Sequence, residues 1–424
     1  MELIEKISID EFDGKKFKIR LVEPTNHKKA VITHYLHNLE NGVAKHYKKE
    51  AEKYLKEYIQ IQEDNNVKLV AENALQQLLF EVNDVPFPTP NNYSFKFIDL
   101  FAGIGGFRIA LQNLGGKCIF TSEWDKDAQK TYRNNFGEVP FGDITKEETK
   151  KFIPKEFQVL CAGFPCQPFS HAGLKKGFED TRGTLFFDVA DVINRRIESK
   201  TPIDIIFLEN VKGLRNHDKG NTLKTIIGVL DGLGYEVAYE VLNSKNFGVP
   251  QNRERIFIVA WLKEKNRNFK FPLGVNFQDK IIFKKDELNT IKPTKVNDIL
   301  VPNPEARYTI SDRLFSGHLR RREEHKIKGN GFGFSSFDKE APYTSTISAR
   351  YYKDGSEILI EQNGANPRKL TPREAANLQG YPPVFKIHGS NVQAYKQFGN
   401  SVSVPVIQTI FSEIQKQLLW FLKT

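Results

Sequence analysis

The chain has 424 residues, 39% hydrophobic and 27% charged, with a formal net charge of +10. That balance excludes a disordered or fibrous chain and accommodates about two domains plus an appendage, and the basic excess favours a polyanionic partner, nucleic acid first. No run approaches ~18 apolar residues, which speaks against a membrane span, and three cysteines (Cys118, Cys161, Cys166) without a Cys-x-x-Cys pair argue for a reducing cytosol and against a disulfide scaffold or structural zinc.

The start, MELIEKISIDEF, is too acidic and interrupted for a signal peptide. Residues 1–92 read as a helical N-terminal extension. Within it Lys45–Tyr58 is strongly helix-forming, Val67–Val82 is a second amphipathic helix candidate, and VPFPTPNNY is a proline-rich linker. Residues 93–264 then alternate short apolar strands (KFIDLF, KCIFTSE, QVLCAG, DIIFLEN, YEVAYEVL, RIFIVAW) with helical stretches. This is the rhythm of an α/β fold with a doubly wound, mostly parallel sheet. Residues 265–385 lose that rhythm and predict a smaller irregular or β domain. Residues 386–424 contain a turn and an amphipathic helix.

The first strand runs into Ala102-Gly-Ile-Gly-Gly106 and a helix, where glycines allow a tight turn and let backbone N–H groups approach a ligand. The second strand ends in Ser122-Glu123-Trp124: the acid suits two ribose hydroxyls and the indole can stack on a purine. Phe141-Gly-Asp143, read as a third strand end, offers a carboxylate to an adenine amino group. Singly, these are ordinary as a surface acid, a core aromatic and a helix cap. Together they describe an adenosine site without a phosphate-binding lysine, which suits S-adenosylmethionine better than ATP or NAD.

In Leu160–Ser170, LCAGFPCQPFS, one thiol sits on a Pro-bracketed turn after an apolar run. Pro165 fixes φ and Pro168 bars regular structure, so Cys166 is placed at a strand end facing a cleft, as a nucleophile would be. Glu209 closes the apolar run IIFLE; beside Phe207 and Leu208 its carboxyl should be raised in pKa and able to donate a proton. Arg253 and Arg255 lie at i, i+2 on an extended segment, so both should point into one cleft and hold an anion or a carbonyl oxygen.

The ordered set FIDLFAGIGGFR, SEWD, FGDIT, GFPCQPFS, GTLFFDV, LENVKGL, VPQNRERIFIVA, RKLTPREAANLQGYP and QFGNSVSVPV resembles the bacterial cytosine-C5 DNA methyltransferases of restriction–modification systems. The likeness runs from about Phe95 to Ile407. KGNGFGF and SARYYKDGSEILI look most like the Dcm/EcoRII-type branch. NLQGYP, with Asn377, departs from the commoner Arg-Leu-Gln-Gly-Phe-Pro.

The resemblance implies an S-adenosylmethionine-dependent methyltransferase fold, no metal, and transfer of a methyl group to C5 of a flipped cytosine in double-stranded DNA. Its implied catalytic residues are Cys166 as nucleophile at C6, Glu209 as proton donor to N3, Arg255 at the cytosine O2, and Arg253 holding Glu209 or nearby backbone. Its implied cofactor residues are Phe101, Gly103, Gly105, Glu123, Trp124, Asp143, Pro165, Leu185, Asn400, Ser401 and Val402, so the C-terminal segment should return to the catalytic domain. Gln167–Thr184 resembles a mobile loop that closes over the flipped base, with Gln167, Ser170 and Arg182 meeting DNA. Residues 265–385 become a target-recognition domain, with Arg320, Arg321, Arg322, Arg350 and Lys353 as candidate readers or phosphate contacts. The implied target is a short palindrome of CCNGG or CCWGG type ahead of CCGG. The implied setting is a monomer on DNA in the bacterial cytoplasm, at the nucleoid, with a cognate restriction endonuclease elsewhere in the system. Two other readings stand beside this one. An RNA cytosine methyltransferase would share the fold, but its Cys-Phe-Thr hallmark needs a cysteine after Cys166, and there is none. A catalytically dead DNA-binding protein would have lost Cys166, Glu209 or Arg255. The extension has three candidate roles: DNA or operator binding, a dimer contact, or a brace on the catalytic domain.

Overall fold

The computed structural model describes residues 5–12, 15–22, 25–39, 42–62, 82–165, 185–265, 269–272, 274, 294–329 and 333–421. The N-terminal region opens with an antiparallel pair, β1 (Glu5–Phe12) and β2 (Lys15–Val22), in register from Glu5↔Val22 to Phe12↔Lys15. Helices α1 (Asn26–His37) and α2 (Ala44–Tyr58) follow, and β3 (Ile59–Gln62) returns to pair with β2. The extension is therefore not purely helical. Both strands alternate polar and apolar residues, and the sequence between them is Asp13-Gly14, the pair that favours two-residue hairpins. The Val67–Val82 helix candidate lies outside the described residues except for its last position.

Six strands form the main sheet: β4 (Phe95–Leu100), β5 (Gly116–Ser122), β6 (Val159–Ala162), β7 (Ile205–Val211), β8 (Tyr235–Asn243) and β9 (Glu254–Leu262), in the order β5-β4-β6-β7-β9-β8. Pairings β4–β5, β4–β6 and β6–β7 are parallel; β9 runs antiparallel to both its neighbours. Four crossover helices connect the strands: α3 (Gly106–Asn113), α4 (Lys126–Phe136), α5 (Leu185–Glu198) and α6 (Asn221–Gly232). Apolar side chains cover both sheet faces, Phe97, Cys161, Phe207 and Phe257 on one and Ile98, Leu160, Leu208 and Ile258 on the other, as a doubly wound sheet requires. Asp125 caps α4 by accepting from the Ala128 N–H (2.8 Å), and Gly137 at φ 71° ends it.

After β9, a 16-residue helix α7 (Asp312–Ile327) precedes a small sheet of β10 (Ser336–Phe337), β11 (Leu359–Gln362) and β12 (Ala365–Lys369). The helix corrects the purely irregular or β expectation for residues 265–385. Ser311 caps it, and His318 is its single buried residue, so it carries no apolar stripe for sequence periodicity to detect. The chain then forms α8 (Pro372–Leu378), capped reciprocally by Thr371 and Glu374, α9 (Asn391–Asn400) and α10 (Val404–Phe421). The non-helical Ser401–Ser403 separates α9 from the last helix, α10. Gln415 on α10 donates to the Leu114 carbonyl (2.6 Å) and Gln408 accepts from Asn113 (3.2 Å), so the C-terminus packs on α3. No described helix is long and apolar enough to cross a membrane.

Candidate active site

At the C-terminal ends of β4 and β5 the backbone turns sharply. Phe101, a non-glycine, adopts φ 57°, and Gly103 and Gly105 adopt φ 56° and 87°. A Cβ on Gly105 would lie 2.3 Å from the Phe136 ring, so only glycine fits that strained turn before α3. Glu123 is buried. Its Oε2 accepts from the Gly103 N–H (2.8 Å) and its Oε1 from the Asp125 N–H (2.8 Å), so the carboxylate locks the glycine turn to the end of β5. Burial pushes its carboxyl pKa up, against the pull of those N–H donors. Trp124 beside it is 77% exposed. Asp143 is half-buried, and its Oδ1 accepts from the Thr145 N–H (2.9 Å), the local turn role ordinary for an aspartate. Phe141, two residues before it, makes an isolated parallel bridge to Ser122 rather than a strand of the sheet, which corrects the strand-end reading.

Ser401 and Val402 reach the same end of the sheet. A Cβ on Gly106 would meet Val402 (2.6 Å) and the Tyr381 hydroxyl (2.8 Å), and that hydroxyl bonds Ser401 Oγ (2.6 Å). Asn400, exposed, ends α9; Leu185, half-buried, opens α5.

The second cluster lies at the ends of β6 and β7. Arg255 Nε stands 3.2 Å from Glu209 Oε1, both largely buried. Burial drives the Glu209 carboxyl pKa up, opposed by Arg255 and Arg253. A Cβ on Gly163 would sit 3.7 Å from Glu209 Oε2, which places the Gly163–Pro165 segment beside the carboxylate. Asn210, buried, donates to the Phe164 carbonyl (2.8 Å) and so ties the end of β7 to the residue before Pro165, which is exposed. Cys166, Gln167, Ser170 and Arg182 lie outside the described residues. The other two thiols, Cys118 and Cys161, are buried, and burial raises both pKa values, so neither is a nucleophile at neutral pH.

Arg253 does not share the cleft with Arg255 as a second anion holder. It precedes β9, so strand alternation does not govern it. Its Nη1 donates to the Ile347 carbonyl (3.2 Å) and its Nη2 to those of Gly399 (3.1 Å) and Ser401 (2.6 Å). The basic residues of the smaller domain also divide. Arg321 donates to His318 Nδ1 (2.8 Å) and Asp354 (3.0 Å), and Arg322 lies over the Phe334 ring (4.9 Å). Arg320, 78% exposed, pairs loosely with Glu324 (3.8 Å); Arg350 and Lys353 are exposed.

Residues 95–416 match the family described as C-5 cytosine-specific DNA methylase. The chain belongs to that family. It is similar to the Type II methyltransferase M.SsoII of Shigella sonnei (52% identity over 333 residues, 78% of this chain and 82% of that one). It is also similar to M.HpaII of Haemophilus parainfluenzae (49% over 370 residues, 82% and 96%) and to the DNA-cytosine methyltransferase of Escherichia coli K12 (38% over 389 residues, 77% and 79%). Among solved structures it shares its fold with the Entamoeba histolytica methyltransferase EhMeth (TM-score 0.59, 20% identity, 77% of this chain and 99% of that one). The S. pombe Dnmt2 methyltransferase is similar as well (TM-score 0.58, 18% identity, 76% and 99%). The reaction is accordingly methyl transfer to C5 of cytosine in DNA, and the family uses S-adenosylmethionine.

The methylase's own residues suit that cofactor. Asp99 at the end of β4 is fully buried, and neither carboxylate oxygen has a hydrogen-bond partner among the described residues. An unpaired buried carboxylate suits a cationic ligand, and S-adenosylmethionine carries an ammonium and a sulfonium. Sequence reasoning missed Asp99, which reads as one more strand residue in FIDLF. It also missed Asn210 and Gln251. The Gln251 amide donates to the Leu378 carbonyl (3.0 Å) and accepts from the Ile347 N–H (3.1 Å); the motif VPQNRER was the available signal.

Proposed function

We propose that this methylase modifies one cytosine in a short DNA palindrome, with Cys166 as nucleophile and Glu209 as proton donor. We further propose that it protects its host's DNA as the modification arm of a restriction–modification system. The observation that carries the mechanism is the Glu209–Arg255 pair (3.2 Å) beside the backbone that leads into Pro165 and Cys166. The Type II names of its relatives support the biological setting.

The Cys166 thiolate adds to C6 of an extrahelical cytosine while Glu209, whose carboxyl pKa burial raises, gives a proton to N3. The ring becomes an enamine whose C5 is nucleophilic. Arg255 holds the O2 of the base and orients Glu209. Bound S-adenosylmethionine supplies the electrophilic methyl group. A water then takes the C5 proton, the C6–S bond breaks to release Cys166, and N3 returns its proton to Glu209. Glu123 receives the ribose hydroxyls, Trp124 and Asp143 the adenine, and Asp99 the ammonium. Phe101, Gly103, Gly105, Pro165, Leu185, Asn400, Ser401 and Val402 line the remainder.

Residues 93–264 and 386–424 form the catalytic domain, and 265–385 read the target from the major groove. Arg320, Arg350 and Lys353, all exposed, make that contact, and the resemblance adds Gln167, Ser170 and Arg182. The target is of CCNGG or CCWGG type ahead of CCGG, on the strength of KGNGFGF and SARYYKDGSEILI. The enzyme acts as a monomer at the nucleoid.

Methylation mapping tests this reading. The chain and its Cys166→Ser twin are expressed in a host lacking cytosine methylation, and the genome is bisulfite-sequenced. Protected cytosines confined to one palindrome, and absent with the twin, are the expected result. No protection from soluble, cofactor-binding protein, or equal protection from the twin, overturns it.

A further inference from the structure

The catalytic chemistry leaves α1 and α2 unexplained, yet their side chains reach the segment that presents Glu123 and Asp143. Strand β5 is an edge of the main sheet, and its outer backbone groups need partners. His34, fully buried on α1, supplies one: its Nε2 accepts from the Thr121 N–H (3.2 Å), while Nδ1 bonds the Ala30 carbonyl (2.8 Å) and so fixes the tautomer. Tyr47 on α2 donates its hydroxyl to the Ile119 carbonyl (2.8 Å). The Phe141 segment completes the edge, with the Phe141 N–H on the Thr121 carbonyl (2.9 Å) and the Glu123 N–H on the Phe141 carbonyl (2.8 Å).

Two further contacts reach closer to Glu123 and Asp143. Asn26, the first residue of α1, donates to Gln129 Oε1 (3.1 Å), and the Gln129 amide in turn donates to the Glu123 carbonyl. The rings of His34 (4.6 Å), His27 (6.0 Å) and Tyr47 (6.3 Å) surround Phe141, two residues before Asp143. The Thr33 hydroxyl accepts from the Val139 N–H (3.1 Å) on the same approach.

We propose that α1 and α2 are a positioning unit for the cofactor pocket, with Asn26, His34 and Tyr47 holding the Ile119–Asp143 backbone so that Glu123 and Asp143 face the adenosine. This rests on the reading of Glu123 and Asp143 as cofactor residues. Substitutions in the extension should therefore weaken cofactor binding specifically, acting through the backbone these residues hold.

The test is titration calorimetry of the full chain with S-adenosylhomocysteine, together with steady-state kinetics and cofactor-free DNA binding. Glu123→Gln reports on the cofactor reading, and Lys48→Ala, on the exposed side of α2, serves as the control. Asn26→Ala should weaken binding about threefold and His34→Leu about tenfold, while His34→Gln, which keeps an acceptor, should recover most of the loss. The cofactor KM should rise by the same factors, with kcat at saturating cofactor and DNA affinity within twofold of wild type. If Asn26→Ala and His34→Leu bind within twofold of wild type while Glu123→Gln loses tenfold, the positioning role is overturned and the cofactor site stands. If Glu123→Gln binds normally, the cofactor reading fails and the proposal with it. Should His34→Leu not fold, Tyr47→Phe, which removes one hydroxyl, and Asn26→Ala decide by the same criterion.

Discussion

Asp99, proposed above to receive the cofactor's ammonium, is buried in a way that works against folding. Its carboxylate has no hydrogen-bond partner among the described residues, and burial pushes its pKa well up, with Arg108 pulling the other way and Glu123 adding to the rise. The folded state therefore holds this proton to higher pH than the unfolded chain does. Any stability from the group is fully present below about pH 4, the ordinary aspartate range, and is lost as pH rises toward the raised folded value. Asp99→Asn removes that dependence. Its melting temperature should match wild type near pH 4 and exceed it by a few degrees at pH 8, while its affinity for S-adenosylhomocysteine falls. A calorimetric pH series checks the first half and titration the second. A mutant less stable than wild type at pH 8 would mean that the carboxylate has a partner in solution. Sequence could point to Glu123, at a strand tip beside Trp124, but not to Asp99, because desolvation depends on what covers a side chain. Cys118 and Cys161 sit within the apolar runs KCIFTSE and QVLCAG, and the structure buries both.

At the scale of elements, legibility followed hydrophobic contrast. KFIDLF, KCIFTSE and RIFIVAW became β4, β5 and β9 because strands buried on both faces read as apolar runs. Helix α7 was missed because its few apolar residues form no buried stripe and only His318 is buried. Its arginines looked equivalent in the sequence, and the structure separates them. Arg321 is tied to His318 and Asp354, Arg322 lies over Phe334, and Arg320 points to solvent. Arg321→Ala should therefore lower stability by up to about 1 kcal/mol, a figure limited by its partial exposure. Arg320→Ala should leave the urea midpoint unchanged and reduce the slope of log affinity against log salt on specific DNA by about 1, the signature of one lost phosphate contact. A reversed pattern, with Arg321 governing the salt slope and Arg320 the stability, would refute this division.

Across the whole molecule, the part least visible in sequence is the closure between distant segments. Arg253 donates to carbonyls of Ile347, in the smaller domain, and of Gly399 and Ser401, in the returning C-terminus, across separations of 94, 146 and 148 residues. Gln251 binds the Leu378 carbonyl and the Gln379 amide, and Gln379 donates to the Phe398 carbonyl (2.7 Å). The resemblance implied nearby backbone as one possible partner of Arg253, but not that its carbonyls come from segments this distant. A guanidinium suits this place because its planar fork serves several acceptors at once, and burial lowers its pKa only to about 9, so it stays charged at neutral pH. An ammonium cannot span the same three carbonyls. Arg253→Lys should leave buried acceptors unpaired, at about 1–3 kcal/mol for each. Because Ser401 also meets Tyr381 beside Gly106, the loss should weaken cofactor binding as well as stability. Arg255→Lys, by contrast, should keep the denaturation midpoint near wild type and lower kcat. Urea unfolding and steady-state kinetics on the two variants separate a residue that closes the molecule from one that acts in its chemistry. Equal effects of the two on both readouts would show that the structure has divided their roles wrongly.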